Sequence, residues 1–218
     1  MRLIKKGKEP NSLTIYKKQN NAYYDGCNKS DIRKALLIEQ GHLCAYCMKR
    51  ISEANMTIEH YEPQSNISEK DALDYSKMLG VCLGNRSSKK EHQTCDAHRG
   101  NQYLTVNPFD KTSIGLIKYD NNGKIYSDNP DINIDLEVTL NLNCKQVLLM
   151  KNRKKALLSL KIYLSQLKPN GKWSKEFLQK ILAHYEASDE NGRFEPYSGI
   201  LLYYLSKKLQ TVNINNIK

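Results

Sequence analysis

The chain has 218 residues, 39% of them hydrophobic and 26% charged, so it is long enough to bury a sizeable core. It contains no run of about 20 apolar residues, the length that crosses a bilayer, and its basic start lacks the apolar centre of a signal peptide. We therefore expect a cytoplasmic protein without a membrane partner. The formal net charge of +11 favours partners that carry phosphate.

The chain begins with a basic arm, residues 1–30, that leads into the first predicted helix. The first 34 residues hold nine Lys or Arg against three acidic residues. Ser30 is a residue type that caps helices, and Gly41 is typical of a helix end. Between them, four apolar residues share one helical face: Ile32, Ala35, Leu36 and Leu37.

A short strand follows this helix and runs into two polar residues. Residues 56–58 favour a strand, Glu59 and His60 come directly after them, and Pro63 ends the run. Residues 64–80 are polar and are predicted to form a loop.

Two further elements precede the C-terminal third of the chain. The segment CDAHRGNQ, residues 95–102, is predicted to begin a short helix. Apolar and polar residues then alternate on both sides of Asn122 and Gly123, a dipeptide that tight hairpins favour. We assign residues 111–142 to this hairpin and a linker.

The pattern from Asn143 onward is helical. Asn143 is expected to cap one helix and Ser174 a second, and a third spans about residues 197–209. The leucines of these helices are interpreted as core residues. We predict a basic α-helical region over residues 143–218, behind a mixed α+β part.

Residues 138–175 form a basic block without any acidic residue. We expect its cations to bind nucleic acid through Lys151, Arg153, Lys154 and Lys155. A solvated basic face or a dock for an acidic partner is the alternative. The block contains nine cations: Lys145, Lys151, Arg153, Lys154, Lys155, Lys161, Lys168, Lys172 and Lys175.

The six cysteines include a close pair, Cys44 and Cys47. In a reducing cytoplasm such a pair indicates metal or redox chemistry rather than a disulfide. A thioredoxin-like pair starts a helix after a strand, whereas this pair follows a helix, so we predict half of a tetrahedral zinc site. Cys82 and Cys95 are the expected remaining ligands of this structural Zn²⁺.

The second cysteine pair is spaced more widely than in a regular knuckle, which would place the fourth cysteine at Asn85. The intervening loop is therefore interpreted as an insertion, and His92 is an alternative ligand. Cys27 and Cys144 are better explained as small apolar residues of the core.

Glu59 and His60 supply two groups that phosphodiester hydrolysis needs. A carboxylate is a hard oxygen ligand for Mg²⁺ or Mn²⁺. A neutral imidazole can take a proton from water near pH 7. A strand that ends in a turn can bring both side chains to one site, although neighbouring strand residues normally point to opposite faces.

Together these motifs resemble an HNH endonuclease of the ββα-metal type, over about residues 33–108: the pair Cys44 and Cys47, then IEHYEP, LGVC and CDAHRGN. The resemblance implies an α+β fold, with a treble-clef-like zinc knuckle supporting a nuclease core over residues 31–110. The closer resemblance is to PtuB, the HNH subunit of Septu-type and retron-associated antiphage systems. The segment EPYSGILLYYLSKKL is similar to the end of that subfamily.

The resemblance also implies roles for individual residues. His60 matches the general base, and Glu59 stands where the family usually has an aspartate ligand. Asp96 matches the residue that completes the site for a catalytic Mg²⁺ or Mn²⁺, with His98 as its competitor. Arg99 matches a basic residue that holds a phosphate.

The partners implied by the resemblance are nucleic acid, the ATPase subunit PtuA and, in retron-associated systems, a reverse transcriptase with its nucleic-acid product. One position departs from the family. Its middle asparagine, which ties the two arms of the hairpin, falls on Lys77, and a lysine cannot accept a hydrogen bond. Asn85 or Asp74 replaces it, or the loop is held otherwise.

The leading hypothesis is a metal-dependent endonuclease, with DNA favoured as its substrate, that acts in antiphage defence. An RNA-cleaving toxin of the same fold, directed for example at tRNA, would use the same phosphate contacts. A zinc-stabilised binding module without catalysis would not need Asp96 or His98 beside Glu59. The positions of those side chains therefore separate the hypotheses.

Overall fold

The computed structural model describes residues 1–171 and 173–215, with side chains as far as residue 212. Lys172 of the basic block lies outside the described residues. Within this range the chain is α+β, as predicted, with helices around two small antiparallel sheets. The helices are α1 (Asn11–Tyr16), α2 (Lys29–Glu39), α3 (Cys95–Arg99), α4 (Lys111–Gly115), α5 (Pro130–Ile134), α6 (Leu149–Leu167), α7 (Lys175–Glu186) and α8 (Ser198–Asn215).

The first sheet pairs β1 (Met56–His60) with β2 (Met78–Cys82). The strands are antiparallel, and Met56 lies opposite Cys82 while His60 lies opposite Met78. The prediction of a loop over residues 64–80 is therefore wrong at its end. All five residues of β2 are buried, so the strand lacks the apolar and polar alternation by which a half-buried strand is recognised.

Helix α2 and a buried glutamine at its end position the sheet. The side chain of Asn28, not Ser30, caps α2 by accepting from the amides of Ser30 and Asp31. At the other end, Gln40 Nε2 donates to the carbonyl oxygen of Gly80 at 2.7 Å, and its Oε1 accepts from the Gly80 amide at 2.7 Å. This two-bond clamp fixes the end of α2 to the middle of β2.

The second sheet is the predicted hairpin, β3 (Ile117–Tyr119) and β4 (Ile125–Ser127), around Asn122 and Gly123. Helix α5 and a π-helical turn, Asp135–Thr139, follow it. This segment contacts the start of α3, where the amide of Cys95 donates to the carbonyl oxygen of Leu140 at 2.9 Å.

Helices α6, α7 and α8 complete the chain. Helix α6 begins at Leu149, later than predicted. Asn143 does not cap it but bonds both backbone groups of Ile125 in β4. Ser174 caps α7 as predicted. None of the described helices is long and apolar enough to span a bilayer.

One contiguous cluster of buried hydrophobic side chains contains residues from every predicted segment, from Leu13 and Leu36 to Ile125, Leu160 and Leu205. The basic N-terminal residues are tied into it, because the amide of Ile4 donates to the carbonyl oxygen of Pro108 at 2.8 Å.

Candidate metal centre and active site

Four buried cysteines converge on one point. Their Sγ atoms all lie within 4.8 Å of one another. The distances are 3.9 Å from Cys44 to Cys95, 3.7 Å from Cys47 to Cys82 and 3.8 Å from Cys82 to Cys95. A tetrahedral Zn²⁺ with bonds of about 2.3 Å spaces its sulfur ligands by about 3.8 Å. The cluster therefore fits zinc, as the sequence predicts.

Local backbone geometry brings these cysteines together. Cys44 and Cys47 lie in a tight turn closed by the Met48 amide, which donates to the carbonyl oxygen of Cys44 at 3.0 Å. The insertion between Cys82 and Cys95 is pinched at its base, where the Thr94 amide donates to the Gly84 carbonyl oxygen at 2.9 Å. Residue 84 must be glycine, because its φ is +56° and a Cβ atom would lie 2.1 Å from the Thr94 oxygen.

The remaining thiols and His92 lie outside the four-sulfur cluster. His92 is half-buried at the end of the insertion, where its Nε2 faces the Glu91 carboxylate at 3.5 Å. Cys27 and Cys144 are buried elsewhere. The four-cysteine arrangement thus does not use the alternative ligand His92.

A cleft of about 350 Å³ lies along β1, whose residues 57–60 form part of its lining. It is lined by two carboxylates, a histidine and four cations: Glu59, Asp96, His60, Lys29, Arg33, Arg86 and Arg99. The excess of positive charge suits an anionic ligand, while the carboxylates suit a divalent cation.

Glu59 is buried at the cleft, with 8% of its surface exposed. Its Oε1 accepts from the Tyr46 hydroxyl at 3.1 Å and forms an ion pair with Arg99. Burial and the neighbouring Asp96 carboxylate raise the pKa of Glu59 to about 8, against the opposing effect of Arg99. A carboxyl group crowded in this way gains from a cation that both carboxylates can share.

Asp96 and His98, the alternative ligands for the catalytic cation, lie in different surroundings. Asp96 lines the cleft beside Glu59, and its Oδ2 accepts from Arg86 Nη2 at 2.8 Å. His98 lies outside the cleft lining, with its Nδ1 3.1 Å from the carbonyl oxygen of Thr139. Of the two residues, only Asp96 thus shares the cleft lining with Glu59.

His60 is held as a neutral imidazole. Its Nε2 lies 2.8 Å from the carbonyl oxygen of Ala72, and its ring meets the Tyr24 ring edge-on at 4.5 Å. Because a carbonyl oxygen only accepts, this contact assigns the proton to Nε2 and leaves the lone pair on Nδ1. Burial lowers the pKa of His60, so the ring can accept a proton at neutral pH.

Arg99 lines the cleft, but its side chain is buried and already bonded. Arg99 is 2% exposed, and its guanidinium donates to Glu59 and to the backbone oxygens of His60, Tyr61 and Gln102. Arg99 therefore positions the end of β1 and the side chain of Glu59, and its contact with a phosphate stays a prediction.

Arg153 is also buried, which corrects the prediction that it contacts nucleic acid. It is 1% exposed, and its guanidinium donates to the oxygens of Gly123, Leu142 and the Asn143 side chain. These bonds fasten α6 to the hairpin turn, and burial lowers the pKa of Arg153. The other three residues predicted to contact nucleic acid are exposed on α6: Lys151, Lys154 and Lys155.

Lys77, at the position of the family's middle asparagine, forms an ion pair with Glu62 at 2.7 Å. The two arms of the loop are joined by their backbones, since the Tyr61 amide donates to the Lys77 carbonyl oxygen at 2.9 Å. Asp74 bonds locally to Ser76. The loop is thus held otherwise than by a substitute asparagine.

Sequence reasoning missed several residues of the cleft region, among them Lys29, Tyr46, Arg86 and Arg33. Tyr46 lies in the turn between Cys44 and Cys47 and is fully buried. Its position between two cysteines of the cluster is a local signal from which this burial could have been predicted. Arg86, on the insertion, and Arg33, on α2, have no local signal because only the fold brings them to the cleft.

No protein-family model matches the chain. Over 99 residues, 44% of the chain, it is 28% identical to a protein of Vibrio cholerae serotype O1 biovar El Tor named "Retron Vc95 putative HNH endonuclease". The similarity suggests a nuclease. The match covers 47% of that protein, so the chain spans about half the length of the curated relative it matches.

Proposed function

We propose that the protein is a metal-dependent HNH endonuclease that hydrolyses phosphodiester bonds of nucleic acid. The observation that carries this proposal is the convergence of Glu59, Asp96 and a neutral His60 in one basic cleft beside a four-cysteine zinc cluster. This set combines a cation site, a proton acceptor and positive charge for a phosphate.

The residues divide the chemistry between them. Glu59 and Asp96 would hold a Mg²⁺ or Mn²⁺ ion, which supplies positive charge for the developing leaving oxygen. His60 Nδ1 accepts the proton of the attacking water, while the Nε2 contact with Ala72 keeps the ring oriented. Tyr46 and Arg99 restrict Glu59 to one position.

The proposal extends to antiphage defence, with DNA as the favoured substrate and an ATPase of the PtuA type as partner. Its support is the word "Retron" in the name of the relative and the resemblance to the PtuB subfamily. A retron reverse transcriptase and its nucleic-acid product are further proposed partners. The exposed lysines of α6 would then contact nucleic acid or the partner.

A non-catalytic zinc module is the second candidate, and one observation favours it. Each proposed cation ligand already has a basic partner, Arg99 for Glu59 and Arg86 for Asp96. Such pairs could hold the knuckle in shape without any metal in the cleft.

The deciding experiment compares the wild type with His60→Ala on plasmid DNA and on total tRNA, with Mg²⁺ or Mn²⁺. Loss of the general base should reduce the rate about 10²- to 10⁴-fold. His184→Ala is the matched control, since His184 is exposed on α7 and lies outside the cleft. Cleavage by the wild type and the control alone supports the nuclease and identifies DNA or RNA as substrate. Equal cleavage by all three proteins would refute the role of His60.

If none of the three cleaves, the same tubes are repeated with the ATPase partner and ATP. Continued inactivity, with nucleic-acid binding retained, would favour the binding module.

A further inference from the structure

Two residues that line the cleft each have a polar side-chain atom without a hydrogen-bond partner among the described residues. These atoms are Arg33 Nε and Thr57 Oγ1, and both are buried from solvent. Both residues line the cleft that contains Glu59 and His60. Because a buried donor without a partner costs free energy, two such groups at one cleft indicate a ligand that supplies acceptors.

Arg33 also differs from the other three cations of the cleft, because each of them has a carboxylate partner. Arg99 is paired with Glu59, and Arg86 with Asp96. Lys29 donates to the Tyr24 carbonyl oxygen and lies 3.8 Å over the Tyr24 ring. Within residues 1–171 and 173–215, no carboxylate lies within ion-pair distance of Arg33.

The two residues come from different elements that pack together. Arg33 lies on α2, which contacts β1, and Thr57 lies on β1 on the same face as Glu59. Two residues along a strand span about 6–7 Å. A phosphate bound at Thr57 would therefore lie close to a cation held by Glu59.

We propose that Arg33 and Thr57 form a phosphate subsite of the cleft, beside the position of Glu59. A guanidinium offers a planar fork of donors that matches two phosphate oxygens, and the threonine hydroxyl adds a third donor. As a subsite for substrate, this inference rests on the proposed nuclease function; as a site for phosphate, it stands on the unpartnered donors alone.

The first test follows the Arg33 Nε–H resonance by ¹H–¹⁵N NMR while inorganic phosphate is added to the full chain. The variant Arg33→Lys identifies this resonance by its loss. Phosphate should shift it in a saturable way, and the Arg99 Nε–H resonance, which is bonded to Gln102, should stay in place as an internal control. A resonance of Arg33 that does not move during the titration overturns the proposal.

The second test measures cleavage kinetics. Arg33→Gln should raise KM about 10- to 100-fold with a smaller change in kcat, and Arg33→Lys should recover part of the loss. Lys34→Gln is the matched control, because it removes the same charge from the next residue of α2, where the side chain is exposed and outside the cleft. Equal KM values for the two glutamine variants would overturn the role in substrate binding.

The two proposals fail differently. A phosphate-dependent shift in a protein that cleaves no nucleic acid would keep the phosphate site and refute the nuclease. Cleavage by the wild type, with no shift and no difference between Arg33→Gln and Lys34→Gln, would keep the nuclease and refute the subsite.

Discussion

The buried carboxyl group of Glu59 should make stability depend on pH when no divalent cation is bound in the cleft. The folded chain raises the pKa of Glu59 to about 8 from an ordinary value of 4.5. Folding therefore takes up a proton between these two values. The contribution of Glu59 to stability should be largest below pH 4.5 and should fall as the pH rises towards 8, because the folded state resists ionisation of this group.

The magnitude follows from the size of this pKa difference. At about 1.4 kcal/mol per pKa unit, the free energy of unfolding should fall by up to about 5 kcal/mol between pH 4.5 and pH 8. The decline should continue until the pH reaches the folded pKa and should then level off. A divalent cation that binds Glu59 and Asp96 should remove most of it, since the cation favours the ionised carboxylates.

The assay is urea unfolding across this pH range in buffer freed of Mg²⁺ by a resin, without a chelator that would also extract zinc. Glu59→Gln should abolish most of the pH dependence, whereas Glu190→Gln, an exposed glutamate, should retain it. Parallel pH profiles for the wild type and Glu59→Gln would refute the reasoning. That result would mean that the ion pair with Arg99 outweighs burial and keeps Glu59 ionised.

Three further predictions concern the zinc cluster, the buried arginine and the exposed lysines. Cys47→Ser should lose zinc and lower the free energy of unfolding by several kcal/mol, while Cys144→Ser should keep a full equivalent of zinc. Metal analysis and urea unfolding measure both effects. Retention of zinc by Cys47→Ser would contradict a zinc site at the four cysteines. Arg153→Met should cost about 2–5 kcal/mol in unfolding experiments, because the buried carbonyl oxygens of Gly123 and Leu142 lose this donor. A neutral result would show that Arg153 does not fasten α6. Reversal of charge at Lys154 and Lys155 should leave unfolding almost unchanged but weaken nucleic-acid binding at low salt more than at high salt, and binding that ignores salt would exclude a phosphate contact.

The local elements of the fold were mostly predictable from the sequence. The hairpin around Asn122 and Gly123, the strand before Glu59 and the cap at Ser174 depend on neighbouring residues, so short-range patterns are sufficient for them. The four-cysteine cluster was predicted from residue type, although the wide spacing of the second pair left His92 open.

The errors have a common physical cause. Ser30 and Asn143 were expected to cap helices, but Asn28 lies two residues before Ser30 and makes the bonds, and Asn143 bonds to β4 instead. Arg153 was expected to contact nucleic acid and Arg99 to hold a phosphate, yet both are buried and bonded to partners 30 or more residues away along the chain. Long-range partners of this kind leave no mark in the surrounding sequence.

The pinched base of the insertion has a consequence for engineering and for divergence. Because Gly84 and Thr94 close the loop between Cys82 and Cys95, the chain between them can change in length or composition while the sulfur atoms keep their spacing. Arg86 lies within this tolerant stretch, yet its side chain reaches the cleft. A fluorophore attached at the exposed Ser88 should thus report the approach of a ligand to Asp96 from outside the core, with the knuckle unaltered.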